Sequence, residues 1–420
     1  MMNEKSTKKN KNIATTMFWY WIGILIWQTV RPVANRSLLD TGVKIGFFLL
    51  VVIYAYSNRS KKFSFNFVSL FLLFITSQFV TMAFDVKSMG LGHIITVAFM
   101  MMQIFIFFGW SYRAEIKIDH LTWFCRQMLV VGAIMSIYNI IFNWTKFSRV
   151  LSLSGGAYGS ECVSFLYSNH EFALYLAATI IALTWLQIKK EIKPTWAVPL
   201  YLLYGINMMS TYSRTAMLGC IGAVLILLFF YNKKAFFIVT IIGAIAILII
   251  NSNSYLYSLV FEKIFKGSFT EDQMLDEGRS SMYEEEFNAF MDAGFFQKIF
   301  GHGYGGGDQF PGHDAYLKIL LIGGIVMFGW FAFVILTGIH FSLVCLKYDK
   351  SVGSLMLGFQ TLSLLYMVAQ TPILFYSTMD SFFITMISIL FPMYIANSYR
   401  NSEIIPKEND DENFTAQLRL

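Results

Sequence analysis

Hydrophobic runs of about 20 residues, the length an α-helix needs to cross a bilayer, recur along this chain from its first fifth to its last. About twelve can be counted at that length, near residues 13 to 30, 42 to 57, 64 to 83, 91 to 110, 121 to 143, 165 to 187, 195 to 210, 215 to 231, 235 to 251, 323 to 345, 352 to 372 and 379 to 398. A chain of this kind carries more apolar surface than a water-soluble core can take in. Composition agrees, with 56% hydrophobic and only 14% charged residues and a mean hydropathy of +0.55, outside the range of soluble domains. The expected fold is an all-α polytopic integral membrane protein with about twelve transmembrane helices, forming a single transmembrane domain over residues 1–420.

The net charge is +6, but the basic residues sit in short connections between apolar runs. They are read as orientation signals, and nucleic acid is set aside as a partner. With the N-terminus in the cytoplasm, five clusters fall on that side: Arg59, Lys61 and Lys62; Arg113 and Lys117; Lys189, Lys190 and Lys193; Lys233 and Lys234; Lys347 and Lys350. The same count puts both termini inside, residues 401–420 in a short cytoplasmic tail and residues 252–322 in one large extracytoplasmic loop. The lysines near the N-terminus lead into the first apolar run without a small-residue cleavage site, so the first helix is expected to be retained. Cys125, Cys162, Cys220 and Cys345 stand singly and indicate neither a disulfide framework nor a zinc site. Trp19, Trp21, Trp110, Trp123, Trp144 and Trp185 fall near the ends of expected spans, where interfacial anchors belong.

The loop is the one long polar interval, and from Arg279 to His313 it contains an arginine, an amphipathic helix, a glycine-rich stretch and a histidine. Ser281 and Glu284 have the spacing of a capping box. Tyr283, Phe287, Phe290 and Met291 recur at helical spacing, Glu284 to Glu286 are assigned to the opposite face, and Gly294 is the expected stop. Such a helix suits a membrane surface. Glycines 301, 303, 305, 306 and 307 leave backbone N–H groups able to face an anion. Gly301, Gly303 and Gly306 also satisfy GxGxxG, but with no preceding strand or βαβ unit a dinucleotide site is rejected, and no GK[ST] marks a P-loop.

Arg214, in the hydroxyl-rich stretch STYSRT, lies at the outer end of a span. It either snorkels or, with Ser210, Thr211, Ser213 and Thr215, lines a polar pocket. Arg279 would be a second guanidinium on the same side, unless it simply pairs with Asp276 or Glu277. Together two arginines can grip a pyrophosphate and stabilise it as it leaves. His313 is either a surface histidine or a base, since a neutral imidazole accepts a proton from a hydroxyl. His302, Gly303, Gly305, His170, Glu171 and Tyr316 complete the set of candidate substrate-binding residues, with no metal site and no cofactor expected.

In order, SRT at 213 to 215, GR at 278 to 279, GHGYGGG at 301 to 307 and HDAYLKILLIGG from His313 resemble the O-antigen polymerase and ligase superfamily, the Wzy-type membrane glycosyltransferases. The resemblance covers about the second half of the chain. YSNHEFALYL is similar to the family's NPN-type motif but has Ser168, Asn169 and His170 where Asn, Pro and Asn are usual, and Asp314 stands where Asn is more frequent. The resemblance implies a GT-C-like enzyme of the bacterial cytoplasmic membrane, free of metal and sugar nucleotide. It would join undecaprenyl pyrophosphate-linked oligosaccharides of an O-antigen, capsule or exopolysaccharide on the outer side of that membrane. Arg214 and Arg279 would hold the pyrophosphate, and His313 would be the catalytic residue acting on the acceptor hydroxyl. Implied partners are the lipid-linked glycan, the bilayer, a flippase and a chain-length regulator. A ligase moving the glycan to a terminal acceptor is the alternative within the family. A lipid-linked oligosaccharide flippase is the alternative outside it, opposed by the gathering of charges at outer span ends.

Overall fold

The computed structural model describes residues 13–26, 46, 49, 98, 101, 103–151, 161–166, 168–257, 279–303, 314–368, 370 and 379–404. Most of the spans expected near 42 to 57 and 64 to 83, and most of the span near 91 to 110 as far as residue 102, lie outside these residues, as do Gly305, His313 and the tail beyond 404. Among the described residues the regular elements are all helices, with no strand. The helices are α1 (Ile13–Ile26), α2 (Ile118–Phe142), α3 (Trp144–Leu151), α4 (Asn169–Ile188), α5 (Pro194–Ser210), α6 (Arg214–Tyr231), α7 (Lys233–Ser252), α8 (Arg279–Asp292), α9 (Phe295–Phe300), α10 (Ala315–Tyr348), α11 (Lys350–Met367), α12 (Met379–Thr385) and α13 (Phe391–Ile404). A four-residue helical turn, Ser254–Tyr257, and two π-helical turns, Phe105–Trp110 and Met386–Leu390, complete them.

Among the described residues, six helical stretches are long and apolar enough to cross a membrane: α2, α4, α6, α7, α10 and the run Asp380–Ser402 through the second π-turn. The helix starts reflect local chemistry. Asn232 caps α7 by accepting from the N–H groups of Lys234 and Ala235 at 3.1 and 3.2 Å. Asp349 caps α11 in the same way from Ser351 and Val352, and Pro194 occupies the first turn of α5, where its missing N–H costs nothing.

α4 is at the centre, buried along nearly its whole length, whereas no residue of α7 is buried. A helix apolar on every side and uncovered by protein is what hydrocarbon solvates. α6 and α11 approach closely through small residues. A Cβ at Gly219 would lie 3.0 Å from the Leu362 side chain, and one at Gly358 would lie 3.2 Å from the Ala223 carbonyl. Without a hydrophobic force between helices in lipid, such close backbone contact supplies the attraction.

Trp21 and Trp185 correct the interfacial expectation. Both are wholly buried; Trp21 stacks on Tyr175 with centroids 5.0 Å apart, and the Trp185 indole N–H donates to the Ser351 carbonyl at 3.0 Å. Trp19 and Trp144 are exposed, as anchors should be. All four cysteines are buried and unbridged.

The span expected to open at residue 323 is longer and broken. α10 begins at Ala315 and runs 34 residues, with non-helical backbone at Gly324 (φ 63°, ψ −165°). Unbroken, that length would be about 51 Å, well beyond a bilayer core of about 30 Å. The break leaves a short first half and a second half that spans.

Candidate active site

The start of α4 meets the end of α5 and the start of α6, and the start of α10 meets the end of α11, while the end of α4 meets the start of α11 at the opposite end of the bundle. The lysines at 189, 190, 193, 233, 234, 347 and 350 flank that opposite end.

At the first end, the start of α4 is tied to the α5–α6 turn. The Asn169 amide donates to the Thr211 carbonyl at 2.9 Å, and His170 Nδ1 and Ser213 Oγ share a hydrogen bond of 3.1 Å. Ser168 caps α4 by accepting from the His170 N–H at 3.2 Å. The turn holds Tyr212 in the left-handed region (φ 54°), a strained conformation for an aromatic residue, and Arg214 comes next at the first position of α6, half-buried. The expected hydroxyl pocket is only partly formed. Ser210 and Thr211 donate to the carbonyls of Asn207 and Met208 at 2.7 and 2.6 Å and so shape the turn; Ser210 also accepts from the Asn139 amide of α2 at 3.4 Å, while Ser213 reaches α4. Behind the turn, Asn139 donates to Asn207 at 2.9 Å, a buried polar contact that fixes α2 against α5.

Gly301 to Gly303, the described part of the glycine stretch, docks on the break in α10. Breaking a helix frees a carbonyl that would have accepted from the next turn. Here the Leu321 carbonyl takes the His302 backbone N–H at 2.7 Å, with His302 Nδ1 3.3 Å from the same oxygen. Gly301 (φ 82°) and Gly324 (φ 63°) face each other across the contact. A Cβ on Gly301 would lie 2.2 Å from the Ile322 carbonyl oxygen, and one on Gly324 would lie 2.3 Å from that of Ile299. Only glycine fits either place. Gly303, also at positive φ, is buried beside them.

Asp314 caps α10, accepting from the N–H groups of Tyr316 and Leu317 at 2.7 and 3.0 Å. Burial pushes its carboxyl above the usual value, and the two N–H donors pull it partly back. Tyr316 donates to the Leu364 carbonyl at 3.1 Å, so its hydroxyl fastens α10 to the end of α11.

α8 begins at Arg279, two residues before the expected cap, so Ser281 lies inside the helix. Gly294 does not end α8 with a left-handed residue; it caps α9 at φ −63°, its N–H donating to Gln297 Oε1 at 3.1 Å. Glu284 and Glu285 are exposed as expected, but Glu286 is wholly buried. Phe287 and Met291 are about half exposed, and the Tyr283 hydroxyl donates to the Val368 carbonyl at 3.3 Å, setting α8 on the end of α11.

The site end therefore brings His170, Glu171, Arg214 and Tyr316 to neighbouring helix ends, with His302 and Gly303 on the break in α10. Arg279 enters as the first residue of α8, while His313 and Gly305 fall outside the described residues. Glu286 and Lys318 were not foreseen. Lys318 is nine-tenths buried in the first half of α10, and a buried cation in a membrane helix is a functional signal. Among the described residues no group of three or more His, Cys, Asp and Glu is placed to hold a metal ion.

No curated protein matches the chain. Residues 199–334, from α5 through the break in α10 and bearing Arg214, Arg279, His302 and His313, match the family model described as O-Antigen ligase, in agreement with the O-antigen polymerase and ligase superfamily that the motifs resemble.

Proposed function

We propose that this chain is a glycosyltransferase that polymerises lipid-linked oligosaccharides at the bundle end bearing Arg214, and that this end faces away from the cytoplasm. The observation that carries the reading is the convergence there of the Arg214 turn, the start of α4, α8 and the broken helix α10, within or beside the stretch matched by the O-Antigen ligase model. Helix breaks at membrane depth occur where backbone lines a cavity rather than lipid, and the lysines at the other end supply the positive-inside signal.

Arg214 and Arg279 hold the donor's pyrophosphate, and His313 takes the proton of the acceptor sugar hydroxyl. The hydroxyl oxygen forms the new bond to the anomeric carbon as the bond from that carbon to the pyrophosphate oxygen breaks, and the lipid pyrophosphate leaves as an anion stabilised by the guanidiniums. Polymerase is preferred to ligase because the long loop between α7 and α10 suits an acceptor that is itself a lipid-linked repeat unit.

The test is to delete the gene in its host, restore wild type or Arg214→Ala, and size surface and lipid-linked glycans. The polymerase reading expects a ladder from wild type and single lipid-linked repeat units from both the deletion and Arg214→Ala. Long chains retained on the lipid carrier would make it a ligase, and repeat units trapped on the cytoplasmic side would make it a flippase.

A further inference from the structure

Asn139, in the last turn of α2, and Asn143, just past its end, stand four residues apart and so share one face. They begin a ladder of amides that runs to the Arg214 turn. The Asn143 amide donates to the Ser164 carbonyl and to Asn139 Oδ1, both at 3.1 Å. The Asn139 amide donates in turn to Asn207 Oδ1 at 2.9 Å and to Ser210 Oγ at 3.4 Å, and the Asn207 amide donates to the Leu203 carbonyl at 2.8 Å. Carbonyls can only accept, so Ser164 at one end and Leu203 at the other fix which way every amide in the ladder points. Asn139, Asn207 and Ser210 are wholly buried.

The ladder ends on two strained places. Ser164 (φ 56°) and Tyr212 (φ 54°) both hold left-handed backbone, which persists only where the surroundings over-determine it. The two places are also joined directly, because the Cys162 backbone N–H donates to the Ser210 carbonyl at 3.0 Å. Ser210 is therefore bonded from α2 and from the stretch before α4, and Arg214 follows four residues later. Packing α2 against α5 would need only the bond from Asn139 to Asn207, or an apolar side chain in its place. The further bonds to Ser210 and Ser164 serve the turn.

We propose that Asn139 and Asn143 are positioning residues for Arg214, holding the strained turn from which its guanidinium reaches the donor's pyrophosphate. This rests on the glycosyltransferase reading and deepens it. It carries the framework of the site outside the matched stretch 199–334, into an apolar run that hydropathy reads only as a span. A guanidinium that must meet a leaving group in one geometry loses turnover when its backbone shifts, even though the ladder touches no substrate.

The test uses full-length protein in lipid nanodiscs with lipid-linked repeat units. It compares wild type, Asn139→Ala, Arg214→Lys and the double variant at a temperature where all four are folded. Asn139→Ala is expected to lower kcat at least about tenfold with acceptor KM within about twofold of wild type. Once Arg214 is already lysine the same change should lower kcat less than about threefold, because the group it positions is gone. An unchanged kcat, or equal fold-losses in the two backgrounds, overturns the positioning role and leaves the glycosyltransferase reading standing. If Asn139→Ala fails to fold, Asn143→Ala at the half-buried end of the ladder decides by the same comparison, with an expected fall of about threefold in the first background and none in the second. A wild type that forms no glycosidic bond removes the glycosyltransferase reading and the positioning role with it.

Discussion

The two ends of the bundle handle polar groups in opposite ways. At the lysine-rich end charges face outward: Arg126 and Glu191 form an ion pair with side chains 52% and 36% exposed, and Lys189 lies 5.0 Å from the Trp185 ring centroid. At the other end Glu171, Glu286 and Lys318 are turned into the protein. Exposed charges cost little and mainly set orientation. Buried ones are expensive, so their concentration at one end marks the end that was shaped to hold something.

The sharpest way to break this contrast is at Arg214. Arg214→Lys keeps the charge but not the planar fork and is expected to lower turnover at least about 100-fold. Next comes the backbone contact across the break in α10: Gly324→Ala and Gly301→Ala each force a side chain into both a disfavoured conformation and a carbonyl. Each is expected to cost about 3 kcal/mol or more, read as a lower melting temperature with loss of activity. Ser213→Ala removes the bond to His170 and is expected to cost about 1 kcal/mol, visible as a several-fold fall in activity at unchanged expression.

Asp314 gives a smaller effect with a defined pH sense. Asp314→Ala loses the cap at a cost of about 1 kcal/mol, whereas Asp314→Asn keeps a capping oxygen and should be nearly neutral. Burial raises the Asp314 carboxyl above its unfolded value, so its contribution is full below the ordinary aspartate value of about 3.9 and is lost as pH rises through the folded value. Asp314→Asn should remove that acid-range dependence from thermal unfolding curves. Smallest of all is Glu191→Gln at the opposite end, where an exposed ion pair is worth about 0–1 kcal/mol and activity should not change.

Several of the spans were legible because their length and apolarity are local properties: the run expected at 215 to 231 is α6 within one residue at its start. The Arg214 turn could be read because hydroxyls bunch around it in sequence. The break in α10 could not be placed, since YLKILLI before Gly323 is as apolar as the residues after Gly324, and hydropathy does not register a change of φ. Glu284 to Glu286 could not share one face, because three consecutive helical residues fan over roughly 200°, so one had to turn inward. A tryptophan's place near a span end gives its depth but not its side of the helix, hence the burial of Trp21 and Trp185.

The most direct measurement is glycosidic bond formation by the purified protein in sealed vesicles carrying lipid-linked repeat units, comparing wild type with Arg214→Lys. The account predicts that wild type lengthens the glycan and releases the lipid pyrophosphate in equal amounts, and that Arg214→Lys, folded normally, is slower by at least about 100-fold. Equal rates in the two proteins, or movement of repeat units across the membrane with no new bond, would contradict it.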